Sequence, residues 1–274
     1  MKALCRTVVF VFSAAAVSSL PAYAQQYATP APAPRTTSLP QLHALARGRE
    51  IADRFMLGVS DEQRGDYASA LPEFERVIAL HPPEPKYSTA LYDAGIAYAN
   101  VHRLRDAARS FEAAIAADPG FLAAMANLVA VDIALGDTNG ARSAADRFVR
   151  AAPDSARALY SRGLVALQQN DLATARDDFS QLLRNDPKYA LAHYDLGVTE
   201  ARAGRWASAQ REFALALDIA PAYARARFAL GTVLLREGKR ADARTAFEQV
   251  ARDANGDVAL QNLAQAMRDA IHAP

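Results

Sequence analysis

Tyrosines at regular spacing are the side chains of this sequence best suited to binding chemistry. Tyr160 and Tyr194 lie 34 positions apart, and Tyr92 and Phe228 fall on the same spacing. An aromatic ring with a polar tip suits peptide backbones and apolar side chains, and such rings dominate many interfaces. These positions direct attention to binding before catalysis.

Four arginines add positive charge to the C-terminal half of the chain: Arg157, Arg202, Arg225 and Arg236. A guanidinium group can hold a carboxylate through two parallel hydrogen bonds. Asp195 and Glu200 lie close by in the sequence and can neutralise these charges. A solvated mixed-charge face is therefore the alternative interpretation of the same residues.

Catalytic motifs find little support in the sequence. The histidines are scattered, without HExxH or another metal-ligand spacing: His43, His81, His102, His193 and His272. We find no GxSxG, no Walker loop and no GxGxxG in the right context. We therefore predict a protein that is not an enzyme and that holds no cofactor and no metal.

A period of 34 residues sets the positions of the elements that carry these side chains. It is clearest in Pro119, Pro153, Pro187 and Pro221. Glycines recur 24 residues before a proline position, at Gly95, Gly163, Gly197 and Gly231. Phenylalanines recur eight before, at Phe111, Phe179, Phe213 and Phe247. Small residues allow two helices to approach closely, and a large ring fills the space beside them.

This pattern resembles the tetratricopeptide repeat (TPR) family, whose motif includes Leu-Gly, Ala-x3-Phe and Pro. Leu196-Gly197 and Leu230-Gly231 carry the Leu-Gly pair. The resemblance implies an all-α fold, a right-handed superhelix of about six helix–turn–helix repeats with a C-terminal capping helix. Within residues 41–257 the repeats fall at about 51–84, 88–121, 122–155, 156–189, 190–223 and 224–257, and the capping helix at 258–274.

Two details of the repeats lead to specific expectations. A second series suits a left-handed residue at the end of each first helix: Gly65, Gly136, Asn170, Gly204 and Gly238. His102 occupies that position in the second copy, so we expect its turn to differ. In the third copy Val129 replaces the glycine and Ala145 the phenylalanine, which predicts a local bend or looser packing.

The N-terminal residues have the layout of a secretory signal peptide. Lys2 and Arg6 precede an apolar stretch that is too short to span a bilayer, and Ala22-Tyr23-Ala24 supplies a cleavage site. We therefore expect a signal peptide over 1–24, a disordered Pro/Ala-rich linker over 25–40 and a periplasmic or secreted protein. A retained membrane anchor is the alternative. Loss of Lys2 and Arg6 takes the formal charge from +1 to −1, so no broad basic field exists to hold nucleic acid.

In the family that this chain resembles, the first helices of the repeats line a concave groove. The resemblance implies that the groove includes Phe55, Tyr92, Arg157, Tyr160, Tyr194, Arg225 and Phe228. In that family the same aromatic position also supports packing between repeats, and both roles stay open. A bacterial, exported scaffold that binds a peptide segment or helix of a cell-envelope protein is our leading hypothesis. The alternative is a glycan-handling component of a polysaccharide export or cell-wall system, and self-association is also open.

Overall fold

The computed structural model describes residues 38–253 and 257–271. Within those ranges the chain forms thirteen α-helices and no β-strand. The helices are α1 (Leu39–Gln63), α2 (Tyr67–Ala79), α3 (Lys86–Asn100), α4 (Leu104–Ala117), α5 (Leu122–Leu135), α6 (Thr138–Ala151), α7 (Ala156–Gln168), α8 (Leu172–Asn185), α9 (Ala190–Arg202), α10 (Trp206–Ile219), α11 (Ala224–Arg236), α12 (Arg240–Asp253) and α13 (Val258–Ala270).

These helices belong to two compact units, divided after Ala151. The first unit contains α1–α6 and the second contains α7–α13. In each unit a helix packs chiefly against the helices that precede and follow it in the chain. The predicted all-α architecture of paired helices is therefore confirmed. The expected signal peptide and most of the expected linker lie outside the described residues.

Glycine on a first helix and phenylalanine on the following helix form the contact that closes each pair. The ring of Phe213 is fully buried beside Gly197, where an added Cβ would lie 2.6 Å from Cε1 of the ring. The same arrangement joins Gly58 to Phe74, Gly95 to Phe111, Gly163 to Phe179 and Gly231 to Phe247. Only glycine lets the two backbones approach this closely. The interpretation of the 24- and eight-residue offsets as a packing contact is confirmed.

In the third repeat the residues that depart from the pattern lie in the core. Val129 and Ala145 are both fully buried, and Phe148 lies in the same unit as one of its largest fully buried side chains. Valine is larger than glycine and alanine smaller than phenylalanine, so the two changes offset each other in volume. Burial of these residues does not test the expectation of a local bend or looser packing, which stays a prediction.

The ends of the first helices carry left-handed residues, as the sequence predicts. Gly65, Gly136, Gly204 and Gly238 have φ between 73° and 78°, and Asn170 has φ of 59°. His102 has φ of 62°, so the expectation of a different turn there is wrong. The backbone N–H of Arg103 donates to the carbonyl of Tyr98 at 2.8 Å, so the helix end closes around His102 although positive φ is sterically unfavourable for histidine.

Helix α1 begins at Leu39, so it includes the last two residues of the expected linker. Ser38 caps it, and the backbone N–H of Ser38 donates to Oε1 of Gln41 at 2.8 Å. Proline is tolerated in the first turn of a helix because no intrahelical acceptor waits for its missing N–H, so Pro40 does not delay the start. No helix in the described part of the chain has the length and apolar character needed to cross a membrane.

Candidate peptide-binding face

Each tyrosine predicted from the 34-residue spacing lies between two other aromatic rings. Tyr194 is 5.8 Å from Phe213 of its own repeat and 5.1 Å from Tyr223, between ring centroids, and Tyr223 caps the first helix of the next repeat. Tyr160 makes the same pair of contacts with Phe179 at 5.9 Å and Tyr189 at 5.5 Å. The tyrosines are half-buried. They therefore pack between repeats and also keep part of their surface open.

The outer rings of these stacks were missed by the sequence analysis. Tyr189 and Tyr223 are the N-cap residues of α9 and α11, and Phe121 is the N-cap residue of α5. All three stand two residues after a proline of the 34-residue series. That shared offset was a signal in the sequence, but it falls in the turns between repeats and not on the first helices.

The two predicted aromatic residues of the first unit have different surroundings. Phe55 is 7% exposed and lies in the core beside Phe74, at 5.9 Å between centroids. Tyr92 is half-buried between Phe111 at 5.8 Å and Phe121 at 4.9 Å, and Nδ2 of Asn127 donates to its hydroxyl at 3.2 Å. Phe55 is thus a core residue, and we leave it out of the site proposed below.

In the second unit the buried carboxyl group of Asp195 takes the place that the amide of Asn127 has beside Tyr92. The Tyr160 hydroxyl donates to Oδ2 of Asp195 at 2.7 Å, which links α7 to α9. Asp195 is 8% exposed, and burial raises the pKa of this carboxyl to about 7 although the hydrogen bond from Tyr160 opposes the rise. Burial, together with Asp195, also raises the pKa of Tyr160. Near neutral pH the carboxyl therefore carries only part of a negative charge.

The predicted arginines and the last aromatic residue also lie on the first helices of this unit. Arg157 is half-buried at the start of α7 and Arg225 is exposed at the start of α11. Burial is the main cause of the raised pKa of Tyr194, and the positive charges of Arg225 and Arg202 oppose that rise. Phe228 is half-buried, 5.3 Å from Phe247. The guanidinium of Arg202 donates to the carbonyl oxygen of Leu167 at 2.7 Å, at the end of α7.

Leu191 completes this surface, which we call the first-helix face of the second unit. Its residues are Arg157, Tyr160, Leu191, Tyr194, Arg225 and Phe228. Leu191 is 44% exposed although it is a large apolar residue in the first turn of α9. A partly exposed row of aromatic rings beside an exposed leucine and two arginines is suited to binding a polypeptide.

Comparison with protein families agrees with this architecture, which is that of a helical repeat protein. A family model described as tetratricopeptide repeat matches residues 55–120, 127–190 and 167–224, and a second with the same description matches 200–267. The chain belongs to the tetratricopeptide repeat family. No curated protein sequence matches it.

Solved structures of TPR proteins share the fold. PilF of Pseudomonas aeruginosa is 17% identical with a TM-score of 0.63, over 81% of this chain and 99% of that one. A TPR protein of Parabacteroides merdae is 16% identical with a TM-score of 0.60, over 82% and 100%. YrrB, described as a TPR protein with an unusual peptide-binding site, is 22% identical with a TM-score of 0.57, over 68% and 94%.

Proposed function

We propose that this protein is a bacterial, exported, non-enzymatic scaffold that binds an extended segment or a helix of a cell-envelope protein. The first-helix face of the second unit is the proposed binding surface. Leu191 is the observation that carries the proposal, because it stays 44% exposed beside half-buried tyrosines. Contact with a partner would remove this apolar surface from water. The peptide-binding site of YrrB, on a similar fold, supports a polypeptide as the ligand.

The structure offers an unusually close control for this proposal. Leu215 on α10, a second helix of the same unit, is 43% exposed, compared with 44% for Leu191. Leu191→Asp and Leu215→Asp therefore introduce the same chemical change at the same exposure, on a first and a second helix. Neither leucine belongs to the buried core, so we expect both variants to keep the helical circular dichroism of the parent.

The experiment is crosslinking and affinity capture of tagged full-length protein in its native host. We expect a cell-envelope protein to be captured by the parent and by Leu215→Asp, and to be lost with Leu191→Asp. Equal capture by both variants would exclude the first-helix face. Capture of envelope polysaccharide in place of protein would favour a glycan-handling component. Trp206, a candidate for stacking on sugars, begins α10 and is not part of the first-helix face.

A further inference from the structure

Arginines outnumber acidic residues on the first helices of the second unit, where Arg162 of α7 forms an ion pair with Asp178 of α8 at 2.7 Å. Helices α7, α9 and α11 contain six arginines and two acidic residues, Asp195 and Glu200. Helices α7 and α11 contain no acidic residue. The second helices α8 and α10 together contain three arginines and four acidic residues, and are close to balance.

The two acids of α9 have contacts with groups outside the set of arginines on the first-helix face. Glu200 is held by Arg176 at 2.7 Å and by Arg205, both outside the first helices. Asp195 accepts the hydroxyl of Tyr160 and is buried. Asp195 and Glu200 thus contact Tyr160, Arg176 and Arg205, and a solvated mixed-charge face stays the alternative interpretation of this surface. The nearby Asp186 lies in the turn before α9 and accepts from the backbone N–H of Lys188 at 3.1 Å.

Arg157, Leu191 and Arg225 occupy the same position in three successive repeats, since they are 34 residues apart. The helices that carry them are neighbours. Tyr160 of α7 donates to Asp195 of α9, and Tyr194 of α9 and Leu230 of α11 pack against the same buried cluster of Ala209, Phe213 and Val233. Packed helices have axes about 10 Å apart, which places the two arginines roughly 20 Å apart with the leucine between them. An extended chain advances about 3.3 Å per residue, so it covers this span in about six residues.

We propose that the first-helix face binds an acidic polypeptide segment with two carboxylates about six residues apart and an apolar side chain midway between them. The carboxylates pair with Arg157 and Arg225, and the apolar side chain contacts Leu191. Guanidinium groups form bidentate pairs with carboxylates, which gives the contact direction as well as charge. This inference rests on the proposed function and specifies the ligand of the same face.

The first test uses the unmodified protein and three fluorescent peptides. One carries two glutamates six positions apart with a leucine midway; in the others lysine or glutamine replaces both glutamates. We expect fluorescence anisotropy to show binding of the glutamate peptide about tenfold tighter than either control at low salt. The preference should shrink as salt screens the charges. Equal affinity for the glutamine peptide would overturn the inference without depending on any variant.

The second test asks whether the carboxylates of the peptide pair with Arg157 and Arg225. Arg157→Gln with Arg225→Gln should weaken the glutamate peptide about tenfold. The control, Arg184→Gln with Arg211→Gln, removes the same charge from exposed residues of α8 and α10, and we expect it to change affinity less than about twofold. Equal losses in the two double variants would overturn the inference. So would tighter, arginine-dependent binding of an anionic polysaccharide such as polygalacturonate.

The two proposals fail in different ways. Loss of the cellular partner with Leu191→Asp, combined with no preference for the glutamate peptide, would retain the scaffold and reject the acidic ligand. Retention of the partner by Leu191→Asp would reject the scaffold face, and with it the inference.

Discussion

At the scale of single residues, each buried phenylalanine determines what the facing helix can carry. Five glycines lie so close to a phenylalanine ring that a Cβ would stand 2.6–2.9 Å from it. The cost of glycine in a helix is about 1 kcal/mol relative to alanine. Here the close approach of two helices offsets that cost.

Gly197→Ala should therefore destabilise the protein, by about 1–3 kcal/mol, because the new methyl group would overlap the ring of Phe213. Gly48→Ala is the matched control: Gly48 is also helical, and nothing lies within 4 Å of the position of its Cβ. We expect that change to be neutral or stabilising by up to about 1 kcal/mol. Urea unfolding followed by circular dichroism measures both. Equal free energies of unfolding for the two variants would contradict the packing assigned to Gly197.

Asp195 gives the stability a dependence on pH. Its pKa is about 7 in the folded protein and about 3.9 in an unfolded chain, so the folded state binds the proton more tightly. The penalty for ionising the buried carboxyl is absent below about pH 4 and complete above about pH 7. This residue's contribution to the free energy of unfolding therefore falls as the pH rises through that window.

Asp195→Asn should remove this contribution while an amide oxygen still accepts the hydroxyl of Tyr160. We expect the variant to match the parent near pH 4 and to be more stable at pH 8, on the order of 1–3 kcal/mol. Burial also raises the pKa of Glu62 and Asp132 to about 7 and about 6, so the difference between the two proteins is the informative quantity. A difference that is constant with pH would show that Asp195 is ionised normally.

How far the sequence predicts this site depends on the residue. The tyrosines and arginines were found because their positions repeat along the chain. The bond from Tyr160 to Asp195 joins residues 35 apart, and no local pattern distinguishes it from any other pair at that spacing. Phe55 shares the repeat position of Tyr92 but lies in the core, because exposure depends on the neighbouring helices and not on repeat position alone.

At the scale of the elements, helix ends were predicted well where one residue determines the backbone. Glycine and asparagine at the left-handed positions give the turn that the sequence predicts. His102 adopts the same turn, because the tertiary packing of α3 against α4 overrides the local preference of one residue.

His102→Gly should stabilise the protein by about 1 kcal/mol, because glycine adopts positive φ without the steric cost of a Cβ. Asn170→Gly is the control at the equivalent helix end. Asparagine tolerates the left-handed region better than most residues, so we expect a smaller gain there. Thermal unfolding of both variants measures the difference. A destabilised His102→Gly variant would mean that the imidazole makes a contact worth more than the relief of strain.

At the scale of the whole molecule, a net charge near zero conceals an uneven distribution. The formal charge is +1, yet α7, α9 and α11 contain more arginine than acid. The first helices of the other unit, α1, α3 and α5, contain more acidic than basic residues. The overall composition therefore does not indicate which unit would suit an acidic ligand. The proposal for the second unit depends on the ion pairs of Glu200 with Arg176 and Arg205.

The proposed export concerns the whole molecule and leads to a prediction about the mass of the mature protein. We expect protein purified from the envelope of its native host to begin at Gln25, because Ala22-Tyr23-Ala24 suits signal peptidase. Intact-mass spectrometry measures this directly. The cleaved chain would lack Cys5, the only cysteine, so a maleimide should not label it even when unfolded. An exported chain that retains Met1 or Cys5 would contradict the prediction, and Ala24→Arg should block cleavage as the control.

The stacked rings of Tyr160 and Tyr194 have a consequence for how a ligand and the repeats affect each other. Each ring touches a phenylalanine of its own repeat and an aromatic residue that caps the first helix of the next repeat. A ligand that rests on the open part of such a ring therefore adds a third partner to a contact that already holds two repeats together. Occupancy and the coupling between these repeats then become linked quantities: a change that loosens the stack weakens the ligand, and a bound ligand resists separation of the repeats by its own binding free energy.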